Sequence, residues 1–338
     1  MSKKALITGI TGQDSAYLSK LLLEKGYEVF VGYRRTSNLD LWRLEELKIK
    51  KEVKIVPLDL LEITNIMRII EKIGPDEIYN LAAQSFVWIS FEHPLLTSNT
   101  NAMGPLRILE AIRTLDKNIK FYQASTSEMF GKAKEIPQNE NTPFYPRSPY
   151  GVSKSFAHWI TVNYRESYNL FSVSGILFNH ESPLRGPEFV TRKISLSTAR
   201  IKVGLQDKLL IGNLEAKRDW GYAPEYVEAM YLMMQQEQAE DFVIATGKTH
   251  SVRDFITNAF ATVDIEIEWD KDKGFDKKTG KILVETSPEF YRPAEVYRLQ
   301  GDFKKAREKL GWYPKTSFEE LVRIMVETDL KRIKDLRR

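Results

Sequence analysis

The chain has 338 residues, 42% hydrophobic and 28% charged, and its 50 basic residues against 46 acidic ones leave a formal net charge of +4. That is a globular composition, long enough for one large domain or two joined ones. Basic and acidic residues are interspersed, which excludes the concentrated stripe of a nucleic-acid binder, and no apolar run approaches the roughly 18–20 residues of a membrane span.

With no cysteine, disulfide frameworks, thiolate nucleophiles and cysteine-based metal sites are excluded as well. The four histidines, His93, His158, His180 and His250, fall in no metal-ligand spacing, and no metal is expected. The opening Met-Ser-Lys-Lys runs straight into Ala5-Leu6-Ile7-Thr8 without the apolar region of a secretory signal, so the expected compartment is cytoplasmic.

Residues 4–8 read as a short apolar strand, and 14–25 as an amphipathic helix stopped by Gly26. Strand patterns follow at 27–33 and 53–58, a helix at 63–73 closed by Gly74-Pro75, and a strand at 77–82. A long helix is expected over 95–115, a strand over 119–124, a second long helix over 150–168 and a strand over 171–178. Strands alternating with helices at this spacing imply βαβ units: an α/β fold with a doubly wound parallel sheet of the Rossmann type. Beyond Asn179 the alternation fades, so residues 1–178 are assigned to the dinucleotide-binding domain and 179–338 mainly to a smaller substrate-binding α/β domain. Segments near 212–247 are expected to return to the first sheet, and the charged stretch 270–281 reads as a solvated loop.

The first strand runs into Gly9-Ile10-Thr11-Gly12-Gln13-Asp14 and then a helix. Glycines there allow a tight turn and let backbone N–H groups approach a pyrophosphate at the helix N-terminus. At the end of the second strand an acidic residue would bind a ribose 2′-hydroxyl; this chain has Arg34-Arg35-Thr36-Ser37, suited to a 2′-phosphate, so the expected cofactor is NADP. Asp59-Leu60 after the third strand is placed near the adenine, and Leu81-Ala82-Ala83-Gln84-Ser85 after the fourth on the path to the nicotinamide.

The fifth strand ends in Ala124-Ser125-Thr126-Ser127-Glu128, which sets hydroxyls and a carboxylate at the mouth of the ligand crevice. Tyr150 and Lys154, one helical turn apart, form the only Y-x-x-x-K pair among fifteen tyrosines. An ammonium beside a phenol favours the phenolate and makes it a general base. A plain reductase needs the hydroxyl and the Tyr/Lys pair alone, whereas Glu128 adds a second acid/base.

Carried together, these motifs resemble the extended short-chain dehydrogenase/reductases. Longer strings, among them Phe121-Tyr122-Gln123-Ala124-Ser125-Thr126-Ser127-Glu128, Asn179-His180-Glu181-Ser182-Pro183, Arg218-Asp219-Trp220-Gly221 and Tyr291-Arg292-Pro293-Ala294-Glu295-Val296, resemble the GDP-mannose 4,6-dehydratase family along the whole chain. The resemblance implies a catalytic set of Thr126, Glu128, Tyr150 and Lys154, with Ser85 also near the substrate. It implies GDP contacts from Asn179, Lys193, Arg218, Arg292 and Glu295, and cofactor contacts from His180 and Arg185. It also implies a GDP-hexose partner and a homodimer or homotetramer, formed through helices 95–115 and 150–168 and the loop after Arg35. Ser15, Phe86, Leu96, Leu184 and Tyr222 depart from the family pattern. The rival readings are a reductase, epimerase or dehydratase for another nucleotide-sugar, and a non-catalytic NADP-binding sensor.

Overall fold

A computed structural model describes residues 2–290, 296 and 298–336. Seven strands, β1 (Lys4–Thr8), β2 (Glu28–Tyr33), β3 (Lys54–Pro57), β4 (Glu77–Asn80), β5 (Lys120–Thr126), β6 (Ser172–Leu177) and β7 (Phe242–Ile244), form one sheet. Its spatial order is β7-β6-β5-β4-β1-β2-β3, with every neighbour parallel. Read from the other edge this is the doubly wound order 3-2-1-4-5-6, extended by one strand.

Central strands are buried on both faces, so β4 and β6 have no exposed residue, and the polar groups of β4 are paired inside: Glu77 accepts from the Tyr27 and Tyr79 hydroxyls, and Asn80 binds Thr8 and Gln123. Helices Gln13–Glu24 and Ala223–Met234 cover one face through Leu18, Leu22, Met230 and Met233. Helices Ile63–Ile73 and Gly104–Leu115 cover the other through Ile66, Ile70, Ile108 and Ile112. The order reverses between β1 and β4, which opens a crevice at their carboxyl ends.

The second region has its own core. Strands Ile267–Asp270, Lys273–Asp276, Ile282–Thr286 and Leu209–Ile211 pair in that order. Helices Val190–Lys202, Val252–Ala261 and Phe318–Asp335 bury Ile194, Phe255, Leu321 and Met325 against it. A buried ion pair joins two of these helices: Arg192 Nη2 lies 2.7 Å from Asp329 Oδ1, and Ser195 donates to Asp329 Oδ2 at 2.7 Å.

One segment refines the sequence reading and another differs from it. The helix expected over 95–115 is continuous from Pro94 to Leu115, but its hydrogen-bond pattern changes at a π-helical turn, Asn99–Met103, between Pro94–Ser98 and Gly104–Leu115. Pro105 accounts for the π turn, since it donates no N–H and its ring crowds the preceding turn. The charged stretch 270–281 contributes strand Lys273–Asp276, because a residue with positive φ at Lys271 and a glycine at Gly280 turn the chain into an antiparallel meander. Charge marked its exposed face and hid the pairing.

Candidate active site

Two adjoining cavities open at the carboxyl ends of the strands. The first, about 320 Å³, is lined by the Gly9–Ser15 turn, Leu81–Ala83, the end of β5, Tyr150, Lys154 and the segment after β6. The second, about 600 Å³, is lined by Asn179, Lys193, Arg218 and the rings of Phe86, Trp88 and Phe290.

Gly9 has φ +86°, and a Cβ there would fall 2.9 Å from the Ala82 Cα, so only glycine lets the first and fourth strand ends approach this closely. Thr8 ties the same two turns: its Oγ1 donates to Asn80 Oδ1 at 2.8 Å and accepts the Leu81 and Ala82 N–H groups. Helix Gln13–Glu24 begins at Gly12 without a side-chain cap, so its first N–H groups face the cavity. Ser15 Oγ and Asp14 Oδ1 are buried without a partner beside it. A glycine cradle, an uncapped helix N-terminus and an orphaned hydroxyl form a donor set that fits the pyrophosphate of a dinucleotide.

His180 closes the cavity from the other side. Its Nε2 lies 2.9 Å from Asp14 Oδ2 and its Nδ1 lies 2.8 Å from the Phe178 carbonyl, so both ring nitrogens face acceptors. Gln13 strengthens the seam, donating to the His180 carbonyl and accepting from Ser182 Oγ, each at 2.8 Å.

On β5, Thr126 caps the short turn Ser127–Met129 by accepting the Glu128 N–H at 3.2 Å, which aims the Glu128 carboxylate at the cavity. Ser148 caps helix Pro149–Tyr168 by accepting the Gly151 N–H at 3.0 Å, and the helix presents Tyr150 and Lys154 to the same space. Burial pushes the Tyr150 phenol up to about 12, helped by the nearby Glu128 charge and opposed by a hydrogen bond with Thr126 and by Arg185. Burial pushes the Lys154 ammonium down to about 8, against the pull of Asp14. The sequence expectation that Lys154 lowers the phenol needs correcting: its ammonium donates to the Ala124 carbonyl at 2.9 Å and lies 5.9 Å from the ring centre. Desolvation outweighs it.

Of the residues singled out in the sequence, Gly9, Thr11, Gly12, Gln13, Asp14, Leu81, Ala82, Ala83, Ser85, Thr126, Glu128, Tyr150, Lys154, His180 and Arg185 come together on the first cavity. Asn179, Lys193 and Arg218 meet on the second. Ile10 is buried beneath the turn. Gln84 binds the π turn through Asn101, Asp59 caps Leu61, and Leu60 packs over Gly104. Arg34, Arg35, Thr36 and Ser37 stand exposed beyond β2 and do not line either cavity. Arg292 and Glu295 lie outside the described residues.

Sequence reasoning missed Arg43. It lines the first cavity and donates at 2.6 Å to both the Thr11 and Leu184 carbonyls, bolting the glycine turn to the segment that carries Arg185. Nothing in its local pattern marks it, because both partners are distant backbone groups.

Residues 6–325 match the family described as GDP-mannose 4,6 dehydratase. A GDP-mannose 4,6 dehydratase of Cricetulus griseus is 53% identical over 97% of this chain and 92% of its own length. The chain belongs to this family. Among solved structures, the UDP-glucose 4-epimerase of Thermotoga maritima with UDP-glucose superposes with a TM-score of 0.82 at 26% identity, covering 98% of this chain and 99% of its own. The Thermus thermophilus UDP-glucose 4-epimerase complex with NAD gives 0.79 at 26%, covering 96% and 98%.

Against the family pattern, Ser15 is buried at the turn and Phe86 packs edge-to-face on Phe189 at 5.9 Å beside the second cavity. Leu184 is buried and offers its carbonyl to Arg43. Tyr222 packs on the second core, and Leu96 is exposed, away from both cavities.

Proposed function

We propose that the chain is a hydro-lyase that converts GDP-mannose to GDP-4-keto-6-deoxymannose and water, with NADP as its redox group. One observation carries the reading: a carboxylate and a phenol on separate elements, Glu128 and Tyr150, line a single cavity that opens beside a second one bordered by Lys193 and Arg218. The two cations suit a diphosphate, and the relatives matched over nearly the whole chain are GDP-mannose 4,6-dehydratases.

The Tyr150 oxygen, held by Thr126, takes the proton of the hexose 4-hydroxyl. Because burial holds that phenol high, its ionisation depends on cationic charge at the cavity, which Arg185 supplies and to which a protonated Lys154 adds from 5.9 Å off the ring centre. A bound nicotinamide supplies the hydride acceptor for carbon 4 and the hydride donor for carbon 6. The 4-ketone acidifies carbon 5, and Glu128 removes that proton. Glu128 then delivers that proton to the departing 6-hydroxyl, so one water leaves and the carboxylate is restored, and once carbon 6 is reduced the proton that Tyr150 took from the 4-hydroxyl goes to carbon 5, which restores the phenolate.

The first cavity, with its glycine cradle, fits a nicotinamide dinucleotide; NADP is preferred because β2 is followed by Arg34 and Arg35 and no acidic residue until Asp40. The oligomer proposed is a homodimer or homotetramer. Its support is the apolar surface on the two helical segments, where Leu95 is 85% and Trp159 59% exposed. A reductase or epimerase has no work for Glu128.

The test is incubation of the purified chain with GDP-mannose and NADP⁺. A product lighter by one water, with the alkaline absorbance of a 4-keto sugar, is expected. Unchanged GDP-mannose, or a 4-epimer of equal mass, contradicts the reading.

A further inference from the structure

A third cavity, of about 590 Å³, lies between the 246–250 segment and the link that joins helices Lys304–Leu310 and Phe318–Asp335. It shares only the buried Trp220 with the substrate cavity and nothing with the dinucleotide cavity. We propose that it is a second ligand site, one that takes a nucleoside phosphate.

The charge on its wall points to an anion. Lys248, Arg307 and Lys315 come from three separate chain segments, and Glu319 is the one carboxylate among the described lining residues. Lys315 Nζ has a loose partner, Glu228 Oε2 at 3.6 Å, but among the described residues no carboxylate is within ion-pair distance of Lys248 or Arg307. A solvated basic face would show the charge as well, so charge alone does not make a site.

The floor supplies the second requirement. Trp220, Phe318 and His250 form a run of near-parallel rings: Trp220 and Phe318 at 6.1 Å and 14°, Phe318 and His250 at 3.8 Å and 3°. His250 is the half-buried end of that stack and lines the cavity. Burial lowers its pKa, opposed by Asp254 and Glu319 and helped by Lys248, which keeps the imidazole neutral at pH 7. A neutral flat ring with one face covered is a platform for another flat ring. Tyr313 and Phe303 flank it. A base on the platform leaves its phosphates to the cations, since guanidinium and ammonium groups are the natural partners of phosphate oxygens. The volume is that of an ordinary small-ligand pocket.

The test uses the holoenzyme with its dinucleotide bound and its substrate cavity saturated with GDP, and ADP as the probe in isothermal titration. One ADP per chain is expected, with a Kd below about 1 mM. Arg307→Glu and Lys248→Glu are each expected to weaken ADP at least roughly tenfold while the dehydration rate stays at its normal value. His250→Ala weakens ADP but leaves the binding of inorganic pyrophosphate unchanged, which separates stacking from charge. No heat up to about 5 mM ADP, or ADP binding that Arg307→Glu leaves intact, overturns the proposal. So does competition between ADP and GDP.

Discussion

His180 stands with Asp14 Oδ2 2.9 Å from one ring nitrogen and the Phe178 carbonyl 2.8 Å from the other, a geometry that a single imidazole proton does not satisfy. Burial opposes the charge, but the carboxylate and its hydrogen bond prevail and raise the imidazole above its ordinary value of 6.5. Burial likewise opposes the Asp14 charge, and His180 and Arg185 prevail to hold that carboxyl below its ordinary 3.8. The pair joins the glycine turn to the strand that follows β6, so the wall of the dinucleotide cavity is sewn by an ion pair.

The sign of its pH dependence follows. The His180 part of the stability is fully present below 6.5 and is lost as pH rises through the raised folded value. The Asp14 part is present above 3.8 and is lost as pH falls through the depressed one. Asp14→Asn should therefore return the His180 titration, followed by imidazole NMR, to a lower pH than in the parent chain. An unchanged titration would mean that Asp14 does not hold the charge.

Lys154 gives a second pH signature. Its ammonium, pushed down to about 8 by burial, is lost as pH rises past that value, and turnover should fall with it. Lys154→Arg keeps its charge throughout and should remove this alkaline limb from the pH–rate profile, even if its overall rate is lower. A limb that persists in the arginine variant belongs to another group.

Asp329 carries the second core's electrostatics. It is fully buried and faces Arg192, itself 8% exposed, and Ser195; Arg332 reaches it at 3.3 Å. Asp329→Ala leaves Arg192 buried without its counter-charge and should cost about 3–5 kcal/mol in denaturant unfolding. A loss within the scatter of surface substitutions, about 0.5 kcal/mol, would show that water or a rearranged Arg192 compensates.

The exposed ring of Trp159 and its neighbour Phe156 test the proposed assembly. Replacing Trp159 by Glu places a charge in the centre of the apolar face and should convert the oligomer to monomers in light scattering, with the fold intact by circular dichroism. An oligomer of unchanged mass would place the interface elsewhere.

The parallel sheet was legible because its signals are local: the apolar run of β1, the spacing of strand and helix patterns, and helix stops at Gly26 and Gly74, both with positive φ. The short motifs around Gly9, Thr126 and Tyr150 were legible for the same reason, each sitting where a strand end or a helix start aims its side chains. What stayed hidden depends on distant partners. The Arg43 bolt joins carbonyls 32 and 141 positions away in the chain. The Tyr150 pKa follows from burial that no spacing reports.

The most direct measurement is single-turnover mass spectrometry on Glu128→Gln loaded with GDP-mannose. If Glu128 moves the carbon-5 proton and assists the leaving hydroxyl, the variant binds NADPH normally by fluorescence yet loses water at least about 100-fold more slowly than the parent chain. Dehydration at the parent rate would contradict the assignment on which the mechanism stands.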